Sequence, residues 1–167
     1  MPKSDQGIDL KRYQVVPRTL IFLFDANNRV LLLKGSLQKR LWAGLFNGIG
    51  GHVERGEDVL EAAKRELFEE TGIAGLTLQY CAQIMVDVSD ELGVAIFVFR
   101  GELNKSNFET SSEGALTWVN LNGLAAVPLV EDLPTLIPRI AAHQASSQIL
   151  FGKYTYDLDG DLLISFD

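Results

Sequence analysis

Runs of apolar residues separated by short polar segments divide this chain into predicted strands and helices. Residues 19–24 and 30–34 are two apolar runs, and the Asp and Asn residues between them are typical of a hairpin turn. Further strand-like runs lie at residues 78–86, 94–99, 117–119, 154–157 and 162–166. The last two flank Asp159-Gly160, which favours a tight turn, so the pattern predicts a second hairpin there.

Two segments have the composition of helices. Residues 58–70 are rich in Ala, Leu, Glu, Lys and Arg, begin with acidic residues, and are followed by Gly72, which suits the position just after a helix. A second helix is predicted over residues 135–143. We therefore expect an α+β protein with a mixed sheet, in which a flexible arm at residues 1–13 precedes a single domain at residues 14–167.

Composition and charge exclude several classes of protein. Apolar residues make up 47% of the 167 positions, which excludes a largely disordered chain. With 15 basic and 22 acidic residues the net charge is −7, which argues against a nucleic-acid polymer or a membrane surface as the main partner. Cys81 is the only cysteine, so an intrachain disulfide is excluded. No apolar run reaches the roughly 18 residues of a membrane-spanning helix. These features predict a cytoplasmic protein, a monomer or a homodimer.

Three glutamates of the first predicted helix carry the candidate chemistry. Glu66, Glu69 and Glu70 are spaced i, i+3 and i+4, so their side chains are expected on one helical face. Like charges at this spacing destabilise a bare helix, whereas a hard divalent cation such as Mg²⁺ or Mn²⁺ would be coordinated by them. The alternative is an acidic face that is simply solvated. A glycine-rich stretch at residues 44–56 precedes the helix and indicates a backbone that approaches a ligand closely.

The wider pattern around these glutamates decides between the two interpretations. Residues 51–73 read GHVERGEDVLEAAKRELFEETGI, with Gly, Glu, Arg-Glu, Glu-Glu and Gly at fixed intervals. This is an unbroken match to the Nudix box, and the chain therefore resembles the Nudix hydrolases. The resemblance implies a mixed β-sheet sandwiched between α-helices. It also implies Mg²⁺-dependent hydrolysis, with Mn²⁺ as a substitute, of a nucleoside diphosphate linked to another group.

The resemblance also implies roles for single residues. Glu66, Glu69 and Glu70 match the metal-binding, catalytic carboxylates, and Gly50 matches the glycine whose carbonyl completes the coordination. Glu57 and Arg65 match a pair that orients the catalytic helix without taking part in the reaction.

The general base that accepts a proton from the attacking water is either a glutamate of the box or a glutamate from a distant loop. Glu113, five residues before Trp118, is the distant candidate, because its segment resembles the family's loop before a late strand. The alternative for Glu113 is an exposed loop residue without a role.

Local matches outside the box suggest a substrate. Asn47 lies in a run that resembles that of the oxidised-purine nucleoside triphosphatases, in which this Asn binds the base, and Glu131-Asp132 aligns with their paired carboxylates. Two neighbouring carboxylates can share one proton, and so both accept and donate hydrogen bonds. Phe46 and Leu129 depart from the pattern, since each stands where a tryptophan is expected. The resemblance implies a small nucleotide substrate such as 8-oxo-dGTP, cleaved to monophosphate and pyrophosphate.

Other interpretations stay open at this point. Asn47 also suits a turn, and Glu131-Asp132 also suits the start of a helix. Lys34 is a candidate contact to phosphate or base, or else an ordinary edge lysine, and Trp42 either lines the cleft or packs beneath it. A hydrolase of ADP-ribose or of dinucleoside polyphosphates, and a non-catalytic nucleotide sensor, are the competing functions.

Two further residues are given structural expectations rather than roles. We expect His143 on the surface of the second helix and Cys81 in the core.

Overall fold

The computed structural model describes residues 2–36, 42–103 and 114–167, and this part of the chain contains eight strands and two α-helices. The strands are β1 (Gln14–Phe24), β2 (Arg29–Gly35), β3 (Phe46–Asn47), β4 (Gln79–Asp87), β5 (Leu92–Glu102), β6 (Gly114–Asn120), β7 (Leu150–Tyr156) and β8 (Leu162–Phe166). The helices are α1 (Val59–Thr71) and α2 (Leu133–Ala142), with 3-10 helices at Lys3–Gln6 and Leu121–Ala126. In the described ranges, neither α1 nor α2 nor a 3-10 helix combines the length and the apolar composition of a membrane-spanning segment.

The strands form one mixed sheet, as the sequence predicts. Its order is β3-β2-β1-β5-β4-β7-β8. Strand β6 stands outside this order and also pairs with β2. The pairs β1–β5 and β4–β7 are parallel, and the remaining neighbours are antiparallel. Both predicted hairpins are present, β1–β2 and β7–β8. In the first, Asp25 Oδ1 accepts hydrogen bonds from the backbone N–H groups of Asn27 and Arg29 at 2.9 and 3.0 Å, which closes the turn.

Strand β1 is buried on both faces, and alternate residues enter two different cores. Leu20, Phe22 and Phe24 pack with α2, whereas Ile21 and Leu23 pack with α1. The two helices therefore lie on opposite faces of the sheet, which confirms the predicted sandwich. Cys81 is buried in the α2 core, and burial raises the pKa of its thiol to about 11.

Helix α1 begins and ends where its sequence predicts. Asp58 is the N-cap, and its side chain accepts hydrogen bonds from the N–H groups of Leu60 and Glu61 while the Glu61 carboxylate accepts one from Asp58 N–H. This reciprocal capping box satisfies donors that have no partner within the helix. Gly72 ends the helix in the left-handed conformation at φ 70°. Both ends of the glutamate-bearing helix are thus held by local hydrogen bonds.

The prediction that His143 lies on a helix surface is wrong. Helix α2 ends at Ala142, so His143 leaves the helical periodicity on which that prediction rested, and its side chain is only 4% exposed. Its ring lies between the Gln79 side chain, at 3.3 Å from Nδ1, and the Gln148 carbonyl oxygen, at 3.1 Å from Nε2. Its own carbonyl oxygen accepts a hydrogen bond from Arg100. His143 therefore fastens the end of α2 to β4 and β5.

Candidate active site

The glycine-rich stretch before α1 runs antiparallel to β1 and is hydrogen-bonded to it. The N–H of Ile21 donates to the carbonyl oxygen of Ile49 at 2.7 Å, and that of Thr19 donates to Gly51 at 2.8 Å. Gly50 has φ 146°, and a Cβ there would lie 2.2 Å from the Thr19 carbonyl oxygen. Only glycine fits at this position. The pairing holds Gly50 and Gly51 against the glutamate-bearing side of α1.

Two of the three box glutamates face this loop. Glu70 is 8% exposed, and its Oε2 accepts a hydrogen bond from the N–H of Gly50 at 3.2 Å. The Glu66 side chain is 15% exposed, and its carboxylate fills the space in which a side chain of Gly51 would begin. Glu69, whose side chain is 56% exposed, lies at the solvent edge of the same region. The helix therefore presents its carboxylates in a gradient from buried to exposed.

Arg65 connects three of the glutamates and the loop before α1. It binds both carboxylate oxygens of Glu57, with Nε 2.6 Å from Oε1, and donates to the His52 carbonyl oxygen at 2.9 Å. Its remaining amino group lies 2.8 Å from Glu66 and 3.1 Å from Glu69. The hydrogen bonds that Arg65 donates to Glu57, and then the one to Glu66, raise the pKa of Arg65, and the hydrogen bonds from Arg65 lower the pKa of Glu57. Sequence analysis predicted the Glu57–Arg65 contact but not the pairing with Glu66 and Glu69.

Whether this region fits a divalent cation depends on those ion pairs. In the ranges that the structure describes, no three His, Cys, Asp or Glu side chains surround a common point as in a formed metal centre. The donor chemistry nevertheless suits Mg²⁺, because the set consists of carboxylates and a backbone carbonyl next to two consecutive glycines, Gly50 and Gly51. Arg65 binds Oε1 of Glu66 and Oε2 of Glu69, so coordination of a cation through the other oxygen of each carboxylate is compatible with these ion pairs.

A cavity opens beside the glycine loop, on the other side of Glu70. Most residues that line this cavity are apolar or glycine. Five lining residues are polar or charged: Arg18, Thr19, Asn47, Glu70 and Asp132. The Asn47 amide oxygen accepts a hydrogen bond from the next N–H, that of Gly48, at 2.8 Å. Thr19 Oγ1 is buried and has no hydrogen-bond partner among the described residues. A few polar groups converging in an apolar cleft are typical of a small-molecule site.

Asp132 and Glu131 are separated by the fold although they are adjacent in the sequence. Asp132 is at the N-cap of α2, but its side chain makes no capping hydrogen bond and lines the cavity instead. Burial raises the pKa of Asp132, and the charge of Glu131 adds to the effect. Glu131 itself is exposed and is not part of the cavity wall.

Tyr154 is the buried neighbour of Asp132. Its hydroxyl is close to the carboxylate, but the two do not meet the geometry of a hydrogen bond. Burial and the nearby Asp132 charge raise the pKa of Tyr154, so the hydroxyl keeps its proton. A hydroxyl donor therefore lies behind the carboxylate that faces the cavity.

The remaining predicted site residues lie elsewhere. Lys34 is exposed on β2, with Nζ 5.6 Å from the centre of the Phe46 ring, and is outside the cavity wall. Glu113 falls outside the described residues.

Sequence analysis missed Arg18 and Thr19 in the wall and left the place of Trp42 open. Arg18 lies over the Trp42 indole, 5.4 Å from its centroid. Burial lowers the pKa of Arg18, and the Glu66 charge partly offsets this. The sequence feature that could have indicated a role for Arg18 is its position as a basic residue just before the long apolar run of β1.

Comparison with known proteins defines the class to which this fold and site belong. The family model described as NUDIX domain matches residues 15–140, and the chain belongs to this family. The chain is 33% identical to the oxidized purine nucleoside triphosphate hydrolases of Danio rerio, over 95 residues, and of Mus musculus, over 106 residues. These matches cover 56% and 62% of the chain, and 60% and 66% of the relatives, so less than two thirds of each relative is spanned.

A solved structure agrees with the assignment at the level of the fold. The MutT protein from Bacillus halodurans is superimposed with a TM-score of 0.73 at 24% identity, over 92% of this chain and 98% of that one. The resemblance to Nudix proteins that the sequence predicts is therefore confirmed.

Proposed function

We propose that this protein is a Mg²⁺-dependent pyrophosphohydrolase of nucleoside triphosphates, with an oxidised purine such as 8-oxo-dGTP as substrate and a monophosphate and pyrophosphate as products. The observation that carries the proposal is the position of Glu70. This residue belongs both to the carboxylate group of α1 and to the wall of the cavity that contains Asn47 and Asp132. A nucleotide with its base in the cavity would have its phosphates next to the box glutamates. The names of the partly matching relatives support the same substrate class.

In this proposal Glu66, Glu69 and Glu70, together with the carbonyl of Gly50, hold the divalent cation, with Mn²⁺ able to replace Mg²⁺. When bound, the cation neutralises phosphate charge and lowers the pKa of a coordinated water. Arg65 has a positioning role, because its ion pairs orient Glu66 and Glu69 and its bonds to Glu57 and to the His52 carbonyl oxygen keep the loop in place. The general base is a box glutamate or Glu113.

Base recognition is assigned to Asn47 and Asp132. The Asn47 amide offers both a donor and an acceptor, which is what the edge of a purine requires. Burial raises the pKa of Asp132, and its carboxyl group would, when protonated, donate one hydrogen bond to the base and accept another. Lys34 and Glu131 stay predictions as substrate-binding residues, since both lie outside the described wall of the cavity.

A second candidate function is a nucleotide sensor that does not hydrolyse its ligand. The ion pairs of Arg65 with Glu66 and Glu69 favour it, because a guanidinium charge next to both carboxylates weakens their attraction for a cation. The ligand in either case is a small nucleotide rather than a polymer, and the protein is proposed to act in the cytoplasm as a monomer or homodimer.

The deciding experiment is a nucleotide panel assayed with Mg²⁺, with Mn²⁺ and with chelator. The panel contains oxidised and ordinary purine triphosphates, ADP-ribose and dinucleoside polyphosphates, and products are separated by chromatography. We expect metal-dependent release of pyrophosphate, with oxidised purine triphosphates cleaved best. Preferred cleavage of ADP-ribose or of a dinucleoside polyphosphate would replace the substrate assignment. Binding without cleavage of any compound would establish the sensor.

Glu69→Gln tests the role of the box itself. The substitution removes one ligand charge from an exposed position, so we expect kcat to fall by about two orders of magnitude or more while the fold is retained. Lys64→Gln, at an exposed position of the same helix, is the matched control and should leave turnover unchanged. Near-normal turnover of Glu69→Gln would refute the assignment.

A further inference from the structure

Two contacting side chains of the cavity wall, Arg18 and Trp42, have no role in the proposed reaction as described above. Arg18 lies over the indole of Trp42, with Cζ 5.4 Å from the ring centroid, and both residues line the cavity. Trp42 is the one aromatic residue among the described residues of that wall. It is also 38% exposed, which leaves ring surface accessible to a ligand.

The backbone at Trp42 is held in a conformation that bulky residues rarely adopt. Its φ is 58°, in the left-handed region. The turn is fixed by hydrogen bonds from Leu45 N–H to the Trp42 carbonyl oxygen and from Gly44 N–H to that of Gly35, both 3.0 Å. Gly35 is required here, since a Cβ on it would lie 2.7 Å from the Trp42 carbonyl oxygen. Strain at a bulky residue that stays partly exposed is typical of a position kept for function.

The Arg18 guanidinium is attracted by the Trp42 ring and by the carboxylate of Glu66. Neither contact satisfies the planar set of donors of a guanidinium as two phosphate oxygens do. The side chain is half-buried at the boundary between the cavity and the box glutamates. In the proposed reaction a cation held by Glu66 would offset the charge of this carboxylate and so weaken its attraction for Arg18.

We propose that nucleotide binding replaces the contact between Arg18 and Trp42, an exchange with two parts. The purine base stacks on the Trp42 indole in place of the guanidinium, and Arg18 turns to the phosphate chain. Stacking of a base on an aromatic ring is stronger than a partly exposed cation–π contact, so the base displaces Arg18 from the ring. Arg18 then gains charge-assisted hydrogen bonds to phosphate oxygens. The inference rests on the proposed function and assigns the surface on which the base is bound.

The protein contains its own matched control for this exchange. Arg29 lies over Trp118 with the same separation, 5.4 Å, but neither residue is part of the cavity wall. These are the two tryptophans of the chain, so each indole can be observed alone. Trp118→Phe leaves Trp42 as the single fluorophore, and Trp42→Phe leaves Trp118.

The test is fluorescence and calorimetric titration without added metal, using three probes. These are a purine nucleoside triphosphate with a methylene bridge between the α and β phosphorus atoms, the purine nucleoside, and inorganic triphosphate. We expect the nucleotide and the nucleoside to change the emission of Trp42 and to leave that of Trp118 unchanged. Trp42→Ala should weaken binding of both by about tenfold and leave inorganic triphosphate unaffected.

Arg18→Gln should give the opposite pattern. Binding of the nucleotide and of inorganic triphosphate should weaken by about tenfold, while the nucleoside binds at least as tightly as before because the competing guanidinium is gone. Arg29→Gln should alter none of the three affinities. Equal weakening of nucleoside and triphosphate by Arg18→Gln would overturn the exchange.

The outcomes also separate this inference from the proposed function. If the unmodified protein binds and cleaves nucleotides but Trp42 emission and the Trp42→Ala affinities do not change, the inference alone is overturned. If the unmodified protein neither binds nor cleaves any nucleotide of the panel, the proposed function fails and the inference fails with it.

Discussion

A Cβ atom on Gly51 would lie 2.4 Å from Oε1 of Glu66, well inside van der Waals contact. The first glycine of the box is therefore what allows the Glu66 carboxylate to lie against the loop. Because the atom in conflict is the end of a flexible side chain, a larger residue at position 51 would displace Glu66 rather than unfold the protein.

Gly51→Ala is therefore expected to weaken binding of Mg²⁺ or Mn²⁺ by about tenfold and to lower turnover, with the free energy of unfolding changed by less than about 1 kcal/mol. Isothermal titration with Mn²⁺ and urea unfolding measure the two effects. Gly123→Ala is the control, since a Cβ there would meet only Asn120 Cβ at 3.9 Å. Unchanged metal affinity in Gly51→Ala would contradict the placement of Glu66 at the cation.

Arg65→Lys should destabilise the protein, because a lysine keeps the charge but loses the two parallel hydrogen bonds to Glu57 and the one to the His52 carbonyl oxygen. We expect the free energy of unfolding to fall by about 1 kcal/mol, measured by urea denaturation. The exposed Arg55 provides the matched control, Arg55→Lys, for which we expect no change. Equal stability of the two variants would show that the hydrogen bonds of Arg65 do not contribute to the free energy of unfolding.

Asp132 should make the protein less stable as the pH rises. Since burial raises its pKa in the folded state, both states are protonated below the unfolded pKa and no cost arises there. As the pH rises through the window between the unfolded and the folded pKa, the cost of burying the charge appears, and it persists above that window. Urea unfolding from about pH 4 to about pH 8 should show this loss in the unmodified protein and not in Asp132→Asn.

Comparison of Asp132→Asn with Glu131→Gln shows which of the two adjacent carboxylates causes the pH dependence. Glu131→Gln, at the exposed neighbour, should keep the pH-dependent loss of stability. If Asp132→Asn is no more stable than the unmodified protein at neutral pH, the carboxylate is not buried as described.

Asn47→Ala distinguishes base recognition from a purely local role. If the amide binds the base, the preference among purine triphosphates should fall by about tenfold while stability changes little. If Asn47 only supports the turn through its hydrogen bond from Gly48, stability should fall and the preference should stay. Asn120→Ala is the control, because its side chain also accepts a backbone hydrogen bond, from Asn122 at 2.9 Å, away from the cavity.

Helices and hairpins whose ends are determined by neighbouring residues were predictable from the sequence. Helix α1 has Asp58 and Gly72 at its ends, and both hairpins have turn residues between apolar runs, so neighbouring residues determine these features. Strand β3 was not predicted, because its two residues pair with β2 only after the chain has turned back.

The contacts of the site were predictable only in part. The Glu57–Arg65 pair follows from the box, whereas the Arg18–Trp42 contact joins two segments that only the fold brings together. The sequence likewise could not say which of Glu131 and Asp132 faces the cavity, because consecutive residues at the start of a helix point in different directions.

Strand β1 is shared by two cores, and this arrangement has a consequence for how substrate choice can change. The core on the α2 side supports Asp132, and the core on the α1 side supports the glutamates. Under the proposed function, substitutions that reshape the α2 side would alter which base is accepted without moving the glutamate-bearing helix. The sheet thus separates an α2 side that would adapt to new substrates by repacking from an α1 side that keeps the glutamates in place.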